Sequence, residues 1–175
     1  MTWERTRPPH PYDFMPRRPE FTVTTTAGRD GDPMPLPQKA AGIGGADSSP
    51  ALTWRGAPPE TQSFAISCFD IDAPTPSGVW HWIVTDIPAE TDALSENAAA
   101  LPDLGVGAHT LRNDLGNETY DGAAPPEGDH PHRYLFTVHA LAVPRLEIPP
   151  SASAAVATFI IGANTIARAH TTLVA

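Results

Sequence analysis

The stretch Gln62-Ser63-Phe64-Ala65-Ile66-Ser67-Cys68-Phe69-Asp70 sets Phe64, Ile66, Cys68 and Asp70 against Ser63, Ala65, Ser67 and Phe69. Successive side chains of an extended chain point to opposite faces, so the spacing predicts a strand with an apolar face and an acid at its end. Val79–Ile87 (VWHWIVTDI), bounded by Gly78 and Pro88, predicts a second strand with His81 on the face of Ile83, Thr85 and Ile87. Arg133–Val143 (RYLFTVHALAV) predicts a third, and Phe21–Thr26 and Leu52–Arg55 are shorter runs of strand character. Twenty-one prolines and thirteen glycines separate these runs, while 41% hydrophobic residues and four tryptophans supply a core. Short strands divided by turn-rich loops make a mainly β domain.

Outward from that core, the two ends read differently. Residues 1–20 hold Pro8, Pro9, Pro11, Pro16, Pro19 and four arginines, an extended proline-rich arm ordered only where something docks it. Residues 21–175 form the domain. Ala89–Pro131 is loop-like. Ser151–His170 is alanine-rich without β-like alternation, so Ser151 is expected to cap a helix there and Gly162 to interrupt it, giving one or two short C-terminal helices.

Composition excludes several function classes. Twenty acidic against eleven basic residues leave a net charge of −9, and Lys39 is the single lysine. Such a surface repels a nucleic-acid backbone and an anionic membrane. No apolar run approaches the roughly 20 residues of a spanning helix. The basic, proline-broken start lacks the apolar segment of a secretory signal, so a soluble cytoplasmic protein is expected. With Cys68 alone, no intramolecular disulfide can form.

Four segments carry possible chemistry. Asp70-Ile71-Asp72-Ala73-Pro74 ends a strand; its carboxylates could serve a site, or merely close a turn. Trp80-His81-Trp82 places an imidazole between indoles, where it is either a ligand donor or a satisfied core histidine. In Tyr120-Asp121-Gly122-Ala123-Ala124-Pro125-Pro126 the last free amide is that of Ala124, because neither proline has an N–H. His132-Arg133-Tyr134 starts a strand, with His132 and Tyr134 on one face and Arg133 on the other, placed to pair with an acid. Two imidazoles, a phenol, an acid and an open amide suit the oxygens of an anion.

At these residues the sequence resembles the phosphatidylethanolamine-binding protein family, also called the Raf-kinase-inhibitor-like family. Asp70-Ile71-Asp72-Ala73-Pro74 is similar to its D-P-D-A-P box, with Ile71 in place of proline. His81-Trp82-Ile83-Val84 resembles its H-W-x-V strand, and Ser49-Pro50-Ala51-Leu52-Thr53-Trp54 its S-P-x-L-x-W segment. Gly122–Pro126 followed by His132-Arg133-Tyr134 resembles G-x-x-P-P…H-R-Y. The short Ala73–Val79 connection is similar to that of bacterial members. The chain departs from many of those at Asn164, where they carry a histidine, and in ending Thr172-Leu173-Val174-Ala175 rather than with G-T-Y.

The resemblance implies an antiparallel β-sandwich-like fold with small helices and a shallow pocket for phosphate, acetate or phosphoryl head groups. That pocket would be lined by Asp70, His81, the Ala124 amide, Pro126, His132 and Tyr134. Trp80, Gly122, Pro125 and Arg133 would support it, Asp72 would hold its loop, and Ala73-Pro74 would be a candidate cis peptide. Homodimers are implied too, and so is a kinase or protease partner.

Three functions compete at this stage. A binding module needs only the donor cluster and no cofactor. An ester or phosphoric-ester hydrolase would use His132 or His81 as general base, yet neither has a hydroxyl or thiol beside it in sequence, and Cys68 falls on the apolar face. A protein-partner role would use the arm. A metal role ranks last, since no H-x-x-x-H or C-x-x-C spacing occurs, and the Asn117-Glu118-Thr119 sequon is without consequence in a chain that is not secreted. The binding module is the preferred reading.

Overall fold

The alternation around Phe64 builds the middle of the molecule. In the computed structural model, which describes residues 4–175, β3 (Ser63–Asp70) lies at the centre of a five-stranded antiparallel sheet and is buried almost throughout. It pairs on one side with β4 (Val79–Pro88) and on the other with β7 (Arg133–Leu141). The two-residue β6 (His109–Thr110) extends β4, and β8 (Thr165–Val174) extends β7, giving the order β6-β4-β3-β7-β8. A second antiparallel sheet, in the order β1-β2-β5, is made of β1 (Thr22–Thr25), β2 (Leu52–Arg55) and β5 (Ala93–Leu94).

The two faces of β3 do different work. Phe64, Ile66 and Cys68 pack with Trp82, Tyr134 and Phe136 of their own sheet and with Val23, Leu52, Trp54 and Leu94 of the smaller one. Ring centroids of Trp54 and Phe64 lie 5.5 Å apart across this interior. Ala65, Ile83 and Leu141 face the other way and meet Ala154 and Ile161 of α1 (Ala154–Asn164). Small sheet, large sheet and helix therefore form layers, with β3 feeding both cores. Truncating a fully buried side chain such as Phe136 to alanine costs about 3–5 kcal/mol in such surroundings.

Five expectations are corrected. The helix is capped by Ser153, whose hydroxyl accepts from the Val156 amide, and not by Ser151. Gly162 does not interrupt it; the helix continues to Asn164. Ile166 and Ala167 belong to no helix, because a ten-residue edge strand starts at Thr165. Its inward residues are Thr165, Ala167, Ala169, Thr171 and Leu173, so burial alternates where hydrophobicity does not.

The remaining two corrections concern β4 and the turn before it. Register shifts against β3 fall between Cys68 and Phe69 and between Phe64 and Ile66. The first makes His81 an extra residue opposite β3, which turns it to the face of Trp82 and away from Ile83; an inserted residue in one strand does this. The second returns Ile87 to the main core, with Asp86 adopting a φ of 59° nearby. The Ala73–Pro74 bond is trans, as is every peptide bond among the described residues. The chain reverses instead through an aspartate turn in which the Asp72 amide donates to Asp70 Oδ1 at 2.9 Å.

The arm docks on the chain's own sheet. The Arg168 amide donates to the Pro19 carbonyl at 3.0 Å, so the arm covers part of the edge of β8. The Arg168 guanidinium lies 3.9 Å from the centre of the Tyr12 ring, and the Tyr12 hydroxyl donates to Thr137 at 3.1 Å. From there the arm runs past Pro8, whose carbonyl accepts from Arg133, to Arg5.

Candidate functional site

The end of β3, the start of β7 and the extra residue of β4 converge. Asp70 pairs with Tyr134 in the sheet register, and Tyr134 meets His81 edge-to-face with centroids 5.1 Å apart. Asp70 Oδ2 accepts from His132 Nδ1 at 2.8 Å. Asp70, His81, His132 and Tyr134 are all buried. Four of the residues singled out in sequence are thus linked in one chain, His81–Tyr134–Asp70–His132.

Local structure fixes each member. His81 Nδ1 lies 2.8 Å from the Asp121 carbonyl. A carbonyl only accepts, so Nδ1 carries the proton and Nε2 is left as the second functional atom. The backbone of His132 is clamped by Ala175, through bonds of 2.7 and 3.0 Å between their main-chain groups. Ala124 is exposed, and its main chain lies beside the Tyr134 hydroxyl. Behind it, Gly122 must be glycine: a Cβ there would sit 2.4 Å from the Lys39 carbonyl carbon. The Gly122 amide is held by Asp47 at 2.7 Å, and Ala123 bridges to Lys39, so residues 37–47 brace this loop. Pro125 and Pro126 follow, half-buried.

Charge is arranged in pairs. Asp72, with no exposed side-chain surface, accepts from Arg133 Nε at 2.7 Å, Nη2 at 2.9 Å and the main-chain amide at 2.9 Å. Burial opposes its ionisation, yet these bonds hold its carboxyl below the usual range. Burial likewise disfavours a charged His132, but carboxylates on both ring nitrogens raise its pKa. Nδ1 faces Asp70, and Nε2 faces Asp129 Oδ2 at 3.0 Å. Burial, with Asp70 next to it, pushes the Tyr134 hydroxyl far up, so it stays a neutral donor. Cys68 is fully buried and its thiol is also raised, first by burial and then by Asp70, which leaves no thiolate there.

Other expectations meet a different geometry. Trp80 lies on the far side of the sheet from His81, stacked on Phe69 with centroids 4.3 Å apart, so it does not flank the imidazole. Both ring nitrogens of His132 are engaged by carboxylates rather than left open. Asn164 donates to the Ile160 carbonyl of its own helix.

Several participants escaped sequence reasoning. Asn113 donates to the carbonyls of His81 and Thr119 and to Asp121 Oδ2, tying down the segment that orients His81. Asn117, read only as a sequon, donates to the Asp121 carboxylate. Asp129 is enclosed by Arg5, His130 and His132. Arg5 Nη2 reaches the Asp72 carbonyl, and lies 2.7 Å from Asp129 Oδ2 and 3.2 Å from His132 Nε2. The Asp129-His130-Pro131-His132 spacing was a legible signal; an arginine 124 residues from its partner was not.

A sequence model of the phosphatidylethanolamine-binding protein family matches residues 24–175. The chain is 43% identical to the UPF0098 protein YbhB of Escherichia coli over 150 residues, covering 82% of this chain and 92% of that protein. It is 39% identical to the E. coli UPF0098 protein YbcL over 166 residues, 91% of this chain and 89% of the relative. The crystal structure of YbcL, described as a new member of the mammalian PEBP family, superposes with a TM-score of 0.82 at 40% identity, covering 89% of this chain and 97% of that one. A homologue from Chlamydia trachomatis shares the fold at 24% identity and a TM-score of 0.74, covering 89% and 97% of the two chains. The chain belongs to the phosphatidylethanolamine-binding protein family.

Proposed function

We propose that this protein binds small anions and phosphoryl groups at the end of β3, without turning them over. The observation that carries the reading is the buried chain His81–Tyr134–Asp70–His132, in which Tyr134 lies beside the main chain of the exposed Ala124. A guest oxygen would accept from the Ala124 amide and the Tyr134 hydroxyl. His81 Nε2 would meet a protonated guest oxygen, or donate once the ring is charged. Asp70 orients His132, whose Nδ1 it holds at 2.8 Å, rather than meeting the guest. Arg5 of the arm brings positive charge beside His132.

Hydrolysis has no such support. The phenol and the thiol nearest the histidines both have raised pKa values, so neither is an activated nucleophile. The family resemblance extends the reading to a homodimer that modulates a kinase or protease in the cytoplasm, with the docked arm as the contact to test first.

Net hydrogen bonds to a charged guest contribute about 1.5–3 kcal/mol each, which places a bare phosphate in the micromolar-to-millimolar range. Titrating phosphate or phosphoethanolamine into the ¹⁵N-labelled protein should shift the amides of Ala124 and the His81 segment. His81→Ala should weaken binding by roughly tenfold or more. Equal affinity in both proteins, or none in either, refutes this site.

A further inference from the structure

We infer that Asp129, His130 and His132 form a binding site for a divalent transition-metal ion of the zinc class, which Arg5 of the arm guards. One carboxylate oxygen and one nitrogen from each imidazole all lie within 4.8 Å of one another. Two imidazoles and a carboxylate suit zinc, cobalt or nickel, whereas magnesium and calcium take oxygen ligands. Three protein ligands leave a further position open to water or an anion.

Three independent features support the site. His132 Nδ1 is held by Asp70 at 2.8 Å, the carboxylate backing that directs the other ring nitrogen of a histidine toward a metal. His130 Nε2 is buried without a hydrogen-bond partner, and the Asp129 side chain has no exposed surface. A cation already sits here as well: Arg5 Nη2 contacts Asp129 Oδ2 at 2.7 Å and lies 3.2 Å from His132 Nε2. Guanidinium and metal would share those two atoms, so they compete. With the arm docked the arginine holds the place; with the arm lifted an ion can enter.

The test is calorimetric titration of zinc chloride into the full chain in phosphate-free buffer, with cobalt absorption as a second measurement. The expected result is one ion per chain. Asp129→Asn and His130→Ala should each weaken binding at least tenfold, Asp70→Asn by roughly 10–100-fold, and Arg5→Ala should tighten it. His10→Ala tests the other close imidazole pair, His10 and His170 with centroids 5.0 Å apart, and should change nothing. Absence of binding, survival in both Asp129→Asn and His130→Ala, loss in His10→Ala, or no tightening in Arg5→Ala overturns the inference. Backbone NMR spectra of each variant establish that it is folded. Asp129 and His130 are not among the anion-binding residues, and phosphate titration with a chelator present reports on the anion site alone, so the two readings fail separately.

Discussion

Single residues set the electrostatic limits of this molecule. His139 is buried between Ser67 at 3.5 Å and Thr165 at 3.2 Å, and burial, aided by the charge of Arg168, pushes its pKa down to about 3. Above an ordinary histidine value of 6.5 both folded and unfolded states leave the ring neutral, and it has no effect on the pH dependence. Between 6.5 and about 3 only the unfolded chain takes up the proton, so stability falls as the pH drops, by up to about 1.4 kcal/mol per unit. Urea denaturation at pH 7.5 and 5.0 should show wild type losing about 2 kcal/mol more than His139→Leu over that interval. Equal losses would mean that the ring is protonated in the fold. Asp72 has the opposite chemistry and the same direction: its lowered carboxyl stabilises the fold at neutral pH and that contribution is lost in acid. Most of this scale was legible. Asp70, His81, His132 and Tyr134 stand out by residue type, and the opposite-face placement of Arg133 already implied an acidic partner. What escaped was Arg5, because nothing local to an extended arm says where it docks.

Elements explain where pattern reading works. Strands β3 and β7 alternate large apolar and small or polar groups, so their period shows in the sequence. Strand β8 buries threonine and alanine and leaves Ile166 and Arg168 only partly covered, so its composition imitates a helix while its backbone pairs with β7 along nine positions. In β4 the insertion at His81 leaves no composition signal, yet it decides the site by turning the imidazole toward Tyr134. Within α1, Gly162 was expected to break the helix and does not. Beyond its own helix backbone and chain neighbours, nothing lies within 4 Å of where its Cβ would be, so Gly162→Ala should stabilise the protein by about 0.5–1 kcal/mol. A rise in Tm would show this; a fall would mean that the glycine relieves a contact in the helix.

At the scale of the whole molecule, the arm joins the edge of the sheet to the site. The same segment whose Pro19 carbonyl accepts from the Arg168 amide of β8 carries Tyr12 to Thr137, Pro8 to Arg133 and Arg5 to Asp129. Deleting residues 1–20 should therefore leave the two cores folded while the Arg168 amide, now unprotected, exchanges at least roughly tenfold faster with solvent. Unchanged exchange would mean that the arm does not cover that edge. On the proposed function, an anion occupies a hollow between the end of β3, β4 and the Ala124 loop. A crystal structure of the protein grown with phosphoethanolamine tests it most directly. The phosphoryl group is expected within hydrogen-bond distance of the Ala124 amide, the Tyr134 hydroxyl and His81 Nε2. Phosphoryl density elsewhere on the molecule, with that hollow vacant at saturating ligand, would contradict it.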